Sequence, residues 1–332
     1  MPNFRLSDKK VAAYFYYWHK DGQHRGEPLT DHPAGPDTAS WDSVSWFRQQ
    51  LSDMAYCGID IVLPSYWGPE AFNLEPGCDI GLRNLVTAHD EITSIGKKAP
   101  SIGMFLDTGA IGMFPEWARN LQTIDGSHST QLRVYLMIKT FFQIVPKHHW
   151  ATIEGRPLIW LWAAYFGIAY DRTFVTNLLT WFTADFGVRP YIVAEESWRY
   201  ARLSTGPDYS QPMPFDDWYV TGAAAWGFDC RMKPGYPVPY LGGIAEVGPG
   251  YDERLLGRPD PVYRDREDGA YFARELDLAL ESGKKWIAIE TWNEHHEGSS
   301  VCETVEYGRE YIEILKAKNA KWRAPKRHWW RF

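Results

Sequence analysis

Eight short apolar segments recur along the whole chain, and helical patterns separate most of them. Each segment is apolar almost throughout, which is typical of parallel strands that are covered on both faces. Eight such units predict an α/β fold, a closed (β/α)₈ TIM barrel with long loops on its C-terminal face. The predicted strands are residues 10–18, 59–67, 101–107, 157–162, 190–194, 217–226, 243–247 and 285–290.

The segments between these strands carry the spacing of amphipathic helices. Val44, Phe47, Leu51 and Met54 share one helical face, and Gly58 ends that pattern. Residues 198–241 are rich in Pro and Gly and contain no clear helix, so we expect long loops there. The predicted helices are residues 43–57, 82–95, 130–145, 174–186, 268–282 and 307–318.

The length of the chain leaves the number of domains open, and the linker pattern decides it. A length of 332 residues would suggest two domains at about 150 residues each, but α/β barrels of about 250 residues or more form one. No Gly-, Ser- or Pro-rich linker divides the sequence. We therefore expect a single domain over residues 1–332.

Charge, cysteine spacing and apolar-run length exclude several classes of protein. A net charge of -7 disfavours nucleic acid as a partner. The four cysteines lack the spacing of a metal site or a disulfide framework, and no nucleotide-binding glycine motif follows a strand. No apolar run is long enough to cross a bilayer, and the N-terminus lacks an apolar signal region. We expect no cofactor and no membrane partner, in a soluble protein that is either cytoplasmic or secreted without its signal peptide in this chain; the oligomeric state stays open.

Aromatic and acidic residues recur at the C-terminal ends of the predicted strands, where a TIM barrel forms its site. Aromatics make up 16% of the chain and include 17 Trp. Rings beside acids and amides favour a carbohydrate-binding cleft, and the alternative is that the rings only fill the core. Of Glu195 and Glu196, Glu195 continues its strand more directly. The predicted substrate-binding residues are Tyr16, Tyr17, Trp18, Tyr66, Trp67, Asp107, Glu195, Trp226, Tyr251, Trp292, Asn293 and His296.

The sharpest chemical feature is the carboxylate pair Glu294 and Glu297 in the stretch KWIAIETWNEHHEG, residues 285–298. If the chain turns helically there, both side chains point to one side. Like charges at that spacing raise the pKa of one member, which favours one acid and one base. Glycoside hydrolysis uses such a pair beside the sugar. The alternative is that both glutamates cap a helix or form ion pairs.

Strand four rules out one common arrangement of the catalytic pair. Ordinary retaining glycosidases on this barrel carry their carboxylates after strands four and seven. Here the fourth strand ends LWAAYF, with no carboxylate nearby. The prediction of catalytic residues therefore rests on Glu294 and Glu297, after strand eight.

The motif NEHHEG resembles the NEWHEG-type motif of glycoside hydrolase family 99, the endo-α-mannosidases and endo-α-mannanases. The aromatic first strand YFYYW and the segment VGPGYDE, residues 247–253, are similar to that family as well. His295 stands where the family has Trp, so the resemblance does not carry the substrate over. It implies a retaining reaction in which Glu294 takes the proton of the sugar 2-hydroxyl and Glu297 protonates the leaving group, through a 1,2-anhydro sugar.

Two other functions remain open from the sequence. A non-catalytic carbohydrate-binding barrel would use the same aromatic residues, with the glutamates acting only as hydrogen-bond acceptors. A metal-dependent hydrolase would use His295 and His296 with the strand-end acids, but EHHE lacks the i, i+4 histidine spacing of HExxH. We interpret His296 as a contact to sugar or to a glutamate, and His295 as its outward neighbour.

Overall fold

The computed structural model describes residues 3–35, 38–72, 74–112, 123–124, 128–164, 169–170, 172–199, 214–234 and 242–325. Eight parallel strands run through this part of the chain, one at each predicted position. They are β1 (Lys10–Phe15), β2 (Ile61–Tyr66), β3 (Ser101–Ile102 and Met104–Leu106), β4 (Arg156–Leu161), β5 (Tyr191–Glu195), β6 (Asp217–Tyr219), β7 (Ile244–Val247) and β8 (Trp286–Ile289).

The strands are hydrogen-bonded in the order β6-β5-β4-β3-β2-β1-β8-β7, and every one of these ladders is parallel. The two strands at the ends of this order are β6 and β7. Between them, the backbone N–H of Gly243, which precedes β7, donates to the Asp217 side chain of β6 at 3.2 Å. The chain therefore has the predicted α/β architecture of a (β/α)₈ TIM barrel. Strand six is shorter than expected: it ends at Tyr219, and residues 223–226 form a helical turn instead.

In the part of the chain that the structure describes, six helices longer than one turn surround the strands, and each corresponds to a predicted helix with its ends moved by a few residues. Ser43 caps the first by accepting a hydrogen bond from the N–H of Trp46 at 3.2 Å. Gly58, with a φ of 86°, ends the same helix in the left-handed conformation. The helices are α1 (Val44–Cys57), α2 (Cys78–Ser94), α3 (His128–Ile144), α4 (Arg172–Phe186), α5 (Ala270–Glu281) and α6 (Glu310–Arg323).

Short elements occupy the connections. Residues 200–213 and 235–241, nearly half of the loop region expected between residues 198 and 241, lie outside the described residues. The short strands are Asn3–Phe4, Thr123–Ile124, Thr152–Ile153, Ala169–Tyr170, Tyr251–Asp252 and Tyr263–Arg264. The single helical turns are Glu70–Phe72, Gly109–Gly112, Lys147–His149, Glu196–Arg199, Ala223–Trp226, Phe228–Cys230 and Arg254–Leu256.

Two apolar layers follow from the alternation of side chains along each strand. An outer layer packs between strands and helices, and an inner layer fills the barrel. The inner layer is strongly aromatic, with rings from Tyr14, Phe105, Trp160, Tyr219 and Trp286 in contact. Part of the aromatic content is therefore core. No helix in the described ranges is long and apolar enough to cross a membrane.

Candidate active site

A cavity of about 700 Å³ opens at the C-terminal ends of the strands. We call it the main cavity. It brings together seven of the predicted site residues, including both members of the carboxylate pair. Its lining consists of Tyr16, Trp18, His24, Arg25, Glu27, Trp67, Asp107, Gly109, Trp162, Arg258, Glu294, His296 and Glu297.

A smaller space of about 210 Å³ adjoins the main cavity. We call it the side chamber. Trp226 and Tyr251, both predicted site residues, line it together with Glu290. The two spaces share four lining residues: Tyr16, Trp162, Arg258 and Glu297. Glu297 therefore faces both, and a chain-like ligand could extend from one into the other.

Strand alternation separates the predicted tyrosines. Tyr16 lies on the same side of β1 as Tyr14 and belongs to the inner layer, whereas Tyr17 packs in the outer layer. The Tyr17 hydroxyl donates to the backbone oxygen of Cys78 at 3.1 Å. Tyr66 also packs in the outer layer, and its hydroxyl donates to Asp79 at 2.8 Å. The structure therefore places Tyr17 and Tyr66 against helix α2 and not at the cavity.

Three further predicted residues lie beneath the site instead of lining it. Trp292 is fully buried, and its indole N–H donates to Gln50 at 2.7 Å. The Asn293 amide accepts from the N–H of Tyr16 at 2.8 Å and donates to its carbonyl at 2.6 Å. Glu195 points into the barrel, where it accepts from the N–H of Ser197 at 2.7 Å. Of the three, Asn293 contacts a residue that lines the cavity, Tyr16.

The carboxylate pair is electrostatically asymmetric. Glu294 is buried, and burial together with the nearby negative charge of Glu297 raises the pKa of Glu294 well above its usual value. Glu297 accepts a hydrogen bond from the Arg258 guanidinium at 2.7 Å. Arg258 also pairs with Glu253. Of the two glutamates, Glu294 is therefore the one whose surroundings favour a proton, while Glu297 is held by an arginine.

Tyr16 stands among the acids at the centre of the site. Burial, followed by the negative charges of Glu294 and Asp107, raises the pKa of the Tyr16 phenol. Asp107 accepts hydrogen bonds from the indole N–H of Trp67 and the backbone N–H of Gly109, each at 2.9 Å. Burial raises the pKa of Asp107 to about 6. A polar ligand would meet a hydroxyl donor and several carboxyl groups within one aromatic cavity.

His296 faces the cavity and His295 turns away from it, but His295 is not an outward residue. It is 1% exposed, and its Nδ1 lies 2.6 Å from a carboxylate oxygen of Asp31. The Nδ1 of His296 lies 3.5 Å from Glu294, and burial lowers the pKa of His296 to about 4. The imidazole of His296 is therefore neutral at pH 7.

Sequence reasoning missed the residues that loops bring to the site. His24, Arg25 and Glu27 come from the loop after β1, and Arg258 comes from the loop after β7. Irregular loops have no periodicity that would mark these positions. Glu290 had a usable signal, because it continues the inward alternation of Trp286 and Ala288 on β8. Its carboxylate accepts from the Thr221 hydroxyl at 2.7 Å in the wall of the side chamber.

Solved structures share this fold. The GH99 endo-α-mannosidase from Bacteroides thetaiotaomicron, in complex with BIS-TRIS-propane, has a TM-score of 0.64 at 15% identity, over 95% of this chain and 98% of that chain. A protein described as glycoside hydrolase-like has a TM-score of 0.63 at 12% identity, over 96% of each chain. At these identities the likeness establishes the fold. It confirms the resemblance to family 99 that the motifs indicated, at the level of architecture.

The family described as domain of unknown function (DUF5010) matches residues 28–326. The chain belongs to this family. Comparison with curated proteins found no match.

Proposed function

We propose that the protein is a glycoside hydrolase that cleaves α-linked glycosidic bonds in a polysaccharide or glycan. The observation that carries this proposal is the meeting of Glu294 and Glu297 in one cavity lined by Trp18, Trp67 and Trp162. Glycosidic cleavage uses two carboxyl groups on either side of the scissile bond, one of them protonated. A pair with one desolvated and one ion-paired member meets that requirement.

The proposed reaction is retaining and has no protein nucleophile. One carboxylate takes the proton of the sugar 2-hydroxyl as that oxygen bonds to the anomeric carbon. The other carboxyl group gives its proton to the departing glycosidic oxygen. Water then opens the 1,2-anhydro sugar with the two proton transfers reversed, so the product keeps the starting configuration.

The division of roles within the pair has two versions. The resemblance to family 99 implies Glu294 as the base and Glu297 as the acid. The surroundings of the two glutamates favour the reverse, because Arg258 pairs with Glu297 while burial favours a proton on Glu294. Both versions use the same two glutamates, so the proposal of a glycosidase does not depend on which of them is the acid and which is the base.

The main cavity and the side chamber support a substrate longer than one sugar. They meet at Glu297, so a glycan bound across this residue would present a bond to the pair with sugar on both sides. Trp18, Trp67 and Trp162 would stack on one part of the glycan, and Trp226 on the other.

A product screen tests the proposal. Wild type, Glu294→Gln and Glu297→Gln would be incubated with α-mannans, α-glucans and other glycans, and released sugars would be measured. We expect cleavage by wild type and losses of about 10²–10⁴-fold in each variant, the range for removal of a general acid or base. Glu303→Gln is the matched control, since Glu303 follows the same strand but pairs with Arg309 outside the cavity.

Two outcomes would contradict the proposal. Full turnover by both variants would remove the carboxylate pair from the reaction. No cleavage of any glycan, with equal glycan binding by wild type and variants, would favour a carbohydrate-binding barrel instead.

An activated aryl glycoside of the sugar identified in the screen separates the roles. Its leaving group departs without protonation, so the variant that lacks the acid keeps most of its first-step rate while the variant that lacks the base does not. A high rate in Glu297→Gln would support the order implied by family 99. A high rate in Glu294→Gln would support the reverse order, favoured by the burial of Glu294 and the pairing of Glu297 with Arg258.

A further inference from the structure

We propose that His24, Glu27 and His296 form a binding site for a divalent cation of the zinc class in the wall of the main cavity. One ligand atom from each residue lies within 4.8 Å of the other two. The Nε2 of His296 lies 3.9 Å from a carboxylate oxygen of Glu27. All three residues line the main cavity. This proposal does not depend on the glycosidase activity.

The His296 imidazole has no hydrogen-bond partner among the residues that the structure describes. Both of its ring nitrogens are buried without a hydrogen bond. The His296 side chain is only 4% exposed. Buried polar atoms in proteins nearly always have a partner, because leaving one unpaired costs free energy. A cation bound to Nε2 of His296 would supply that partner, and Nδ1 would still face Glu294 at 3.5 Å.

The surrounding contacts hold the two imidazoles in place. Trp18 stacks on the His24 ring, with centroids 4.8 Å apart and planes 11° apart. A carboxylate oxygen of Glu75 lies 3.4 Å from Nε2 of His24. In metal sites, such a carboxylate contacts one ring nitrogen of a histidine and leaves the other for the metal. These contacts explain how His24 keeps its position on a loop that has no regular secondary structure.

Hydrogen bonds tie together the two chain segments that carry the proposed ligands. The Thr30 hydroxyl donates to the backbone oxygen of His296 at 2.9 Å, and the Thr30 N–H donates to that of His295, also at 2.9 Å. The loop after β1 and the loop after β8 are therefore joined directly beside the site. Such joining lowers the entropy cost of collecting ligands from distant parts of the chain.

The ligand set selects the class of metal. Two imidazoles and one carboxylate are the protein ligands of many zinc sites that keep an open position, and imidazole favours Zn²⁺ over Mg²⁺ or Ca²⁺. Ligand atoms around tetrahedral zinc lie about 3.3 Å apart at bond lengths of about 2.0–2.1 Å. Glu27, whose side chain is 53% exposed, can rotate towards a cation bound to His296. The open position would face the cavity, where water or a sugar hydroxyl could bind.

Zinc binding to protein without a polyhistidine tag tests the site. The purified protein would be treated with EDTA, freed of chelator, and titrated with ZnCl₂ in equilibrium dialysis. A second cluster, Asp90 with His148 and His149, could also take zinc. The titration is therefore run on His148→Ala as well as on wild type, so that the two clusters are counted separately.

We expect His148→Ala to keep one tight equivalent of zinc. Adding Glu27→Gln or His24→Gln to this variant should weaken that equivalent by at least about tenfold. Glu27→Gln is the more informative change, because an exposed side chain can be replaced without loss of folding, and unchanged circular dichroism would show this. Equal zinc affinity in all of these proteins would overturn the proposal. So would loss of all tight binding in His148→Ala, since it would assign the zinc to the other cluster.

Discussion

At the scale of single residues, Glu195 shows how a carboxyl group inside the barrel links stability to pH. Burial raises the pKa of Glu195 from 4.5 to about 7. The folded protein therefore holds a proton that the unfolded chain releases above about pH 4.5. The stability that depends on this proton is fully present below pH 4.5 and is lost as pH rises towards 7.

We predict that Glu195→Gln gains stability over wild type as pH rises. Glutamine is neutral and keeps an oxygen that can accept from the N–H of Ser197. Its advantage in the free energy of unfolding should grow by about 3 kcal/mol between pH 4.5 and pH 7.5, since each pKa unit corresponds to about 1.4 kcal/mol. Urea denaturation at both pH values measures it. If the free energies of unfolding of the variant and wild type differ by the same amount at both pH values, Glu195 is not a buried, protonated carboxyl group.

At the scale of elements, Asn293 joins the end of β1 to the loop after β8. Its amide satisfies both the N–H and the carbonyl of Tyr16, which lie just beyond the last residue of β1. The same loop carries Glu294 and Glu297. The position of the carboxylate pair relative to the strand-one aromatics therefore depends on this one buried amide.

We predict that Asn293→Ala destabilises the protein by about 2–4 kcal/mol, because it leaves two buried backbone groups unpaired. Urea denaturation measures the change. Asn84→Ala is the control, since the Asn84 amide makes one hydrogen bond, to the backbone of Trp41 at 3.0 Å, and should lose about 1 kcal/mol. Equal losses in the two variants would contradict the special role of Asn293.

At the scale of the whole molecule, a buried charge network connects three distant parts of the chain. Arg266 donates to Asp31 at 2.8 Å and to the backbone oxygen of Ser300 at 2.9 Å. His295 contacts the other carboxylate oxygen of Asp31. The loop after β1, the segment before α5 and the loop after β8 are thereby held together beneath the candidate site. His295, where family 99 has Trp, belongs to this network.

We predict that Arg266→Ala destabilises the protein by about 3–5 kcal/mol, since it leaves the buried Asp31 carboxylate without its cation. Arg274→Ala is the matched control: it removes an arginine that pairs with Glu267 at the surface. That change should cost no more than about 1 kcal/mol. Chemical denaturation compares the two, and similar small losses would mean that the Asp31 network does not stabilise the fold.

The repeating pattern of the sequence determined the architecture. Eight apolar segments and six amphipathic ones were enough to predict the strands, the helices and their barrel, because each carries its own local periodicity. The strand-end residues Trp18, Trp67 and Asp107, and the pair Glu294 and Glu297, were found by the same logic. A stricter use of alternation would have separated Tyr16 from Tyr17, since neighbouring residues on a strand face opposite sides.

Only the tertiary structure decided which loop residues reach the cavity. His24 and Glu27, in the loop after β1, lie close to His296, in the loop after β8. Arg258 contacts Glu297 from the loop after β7. Loops have no repeating pattern, so their side chains take positions set by long-range contacts. Long-range contacts also decide which side chains are buried. The sequence shows two glutamates three residues apart, but the folded chain buries Glu294 and pairs Glu297 with Arg258.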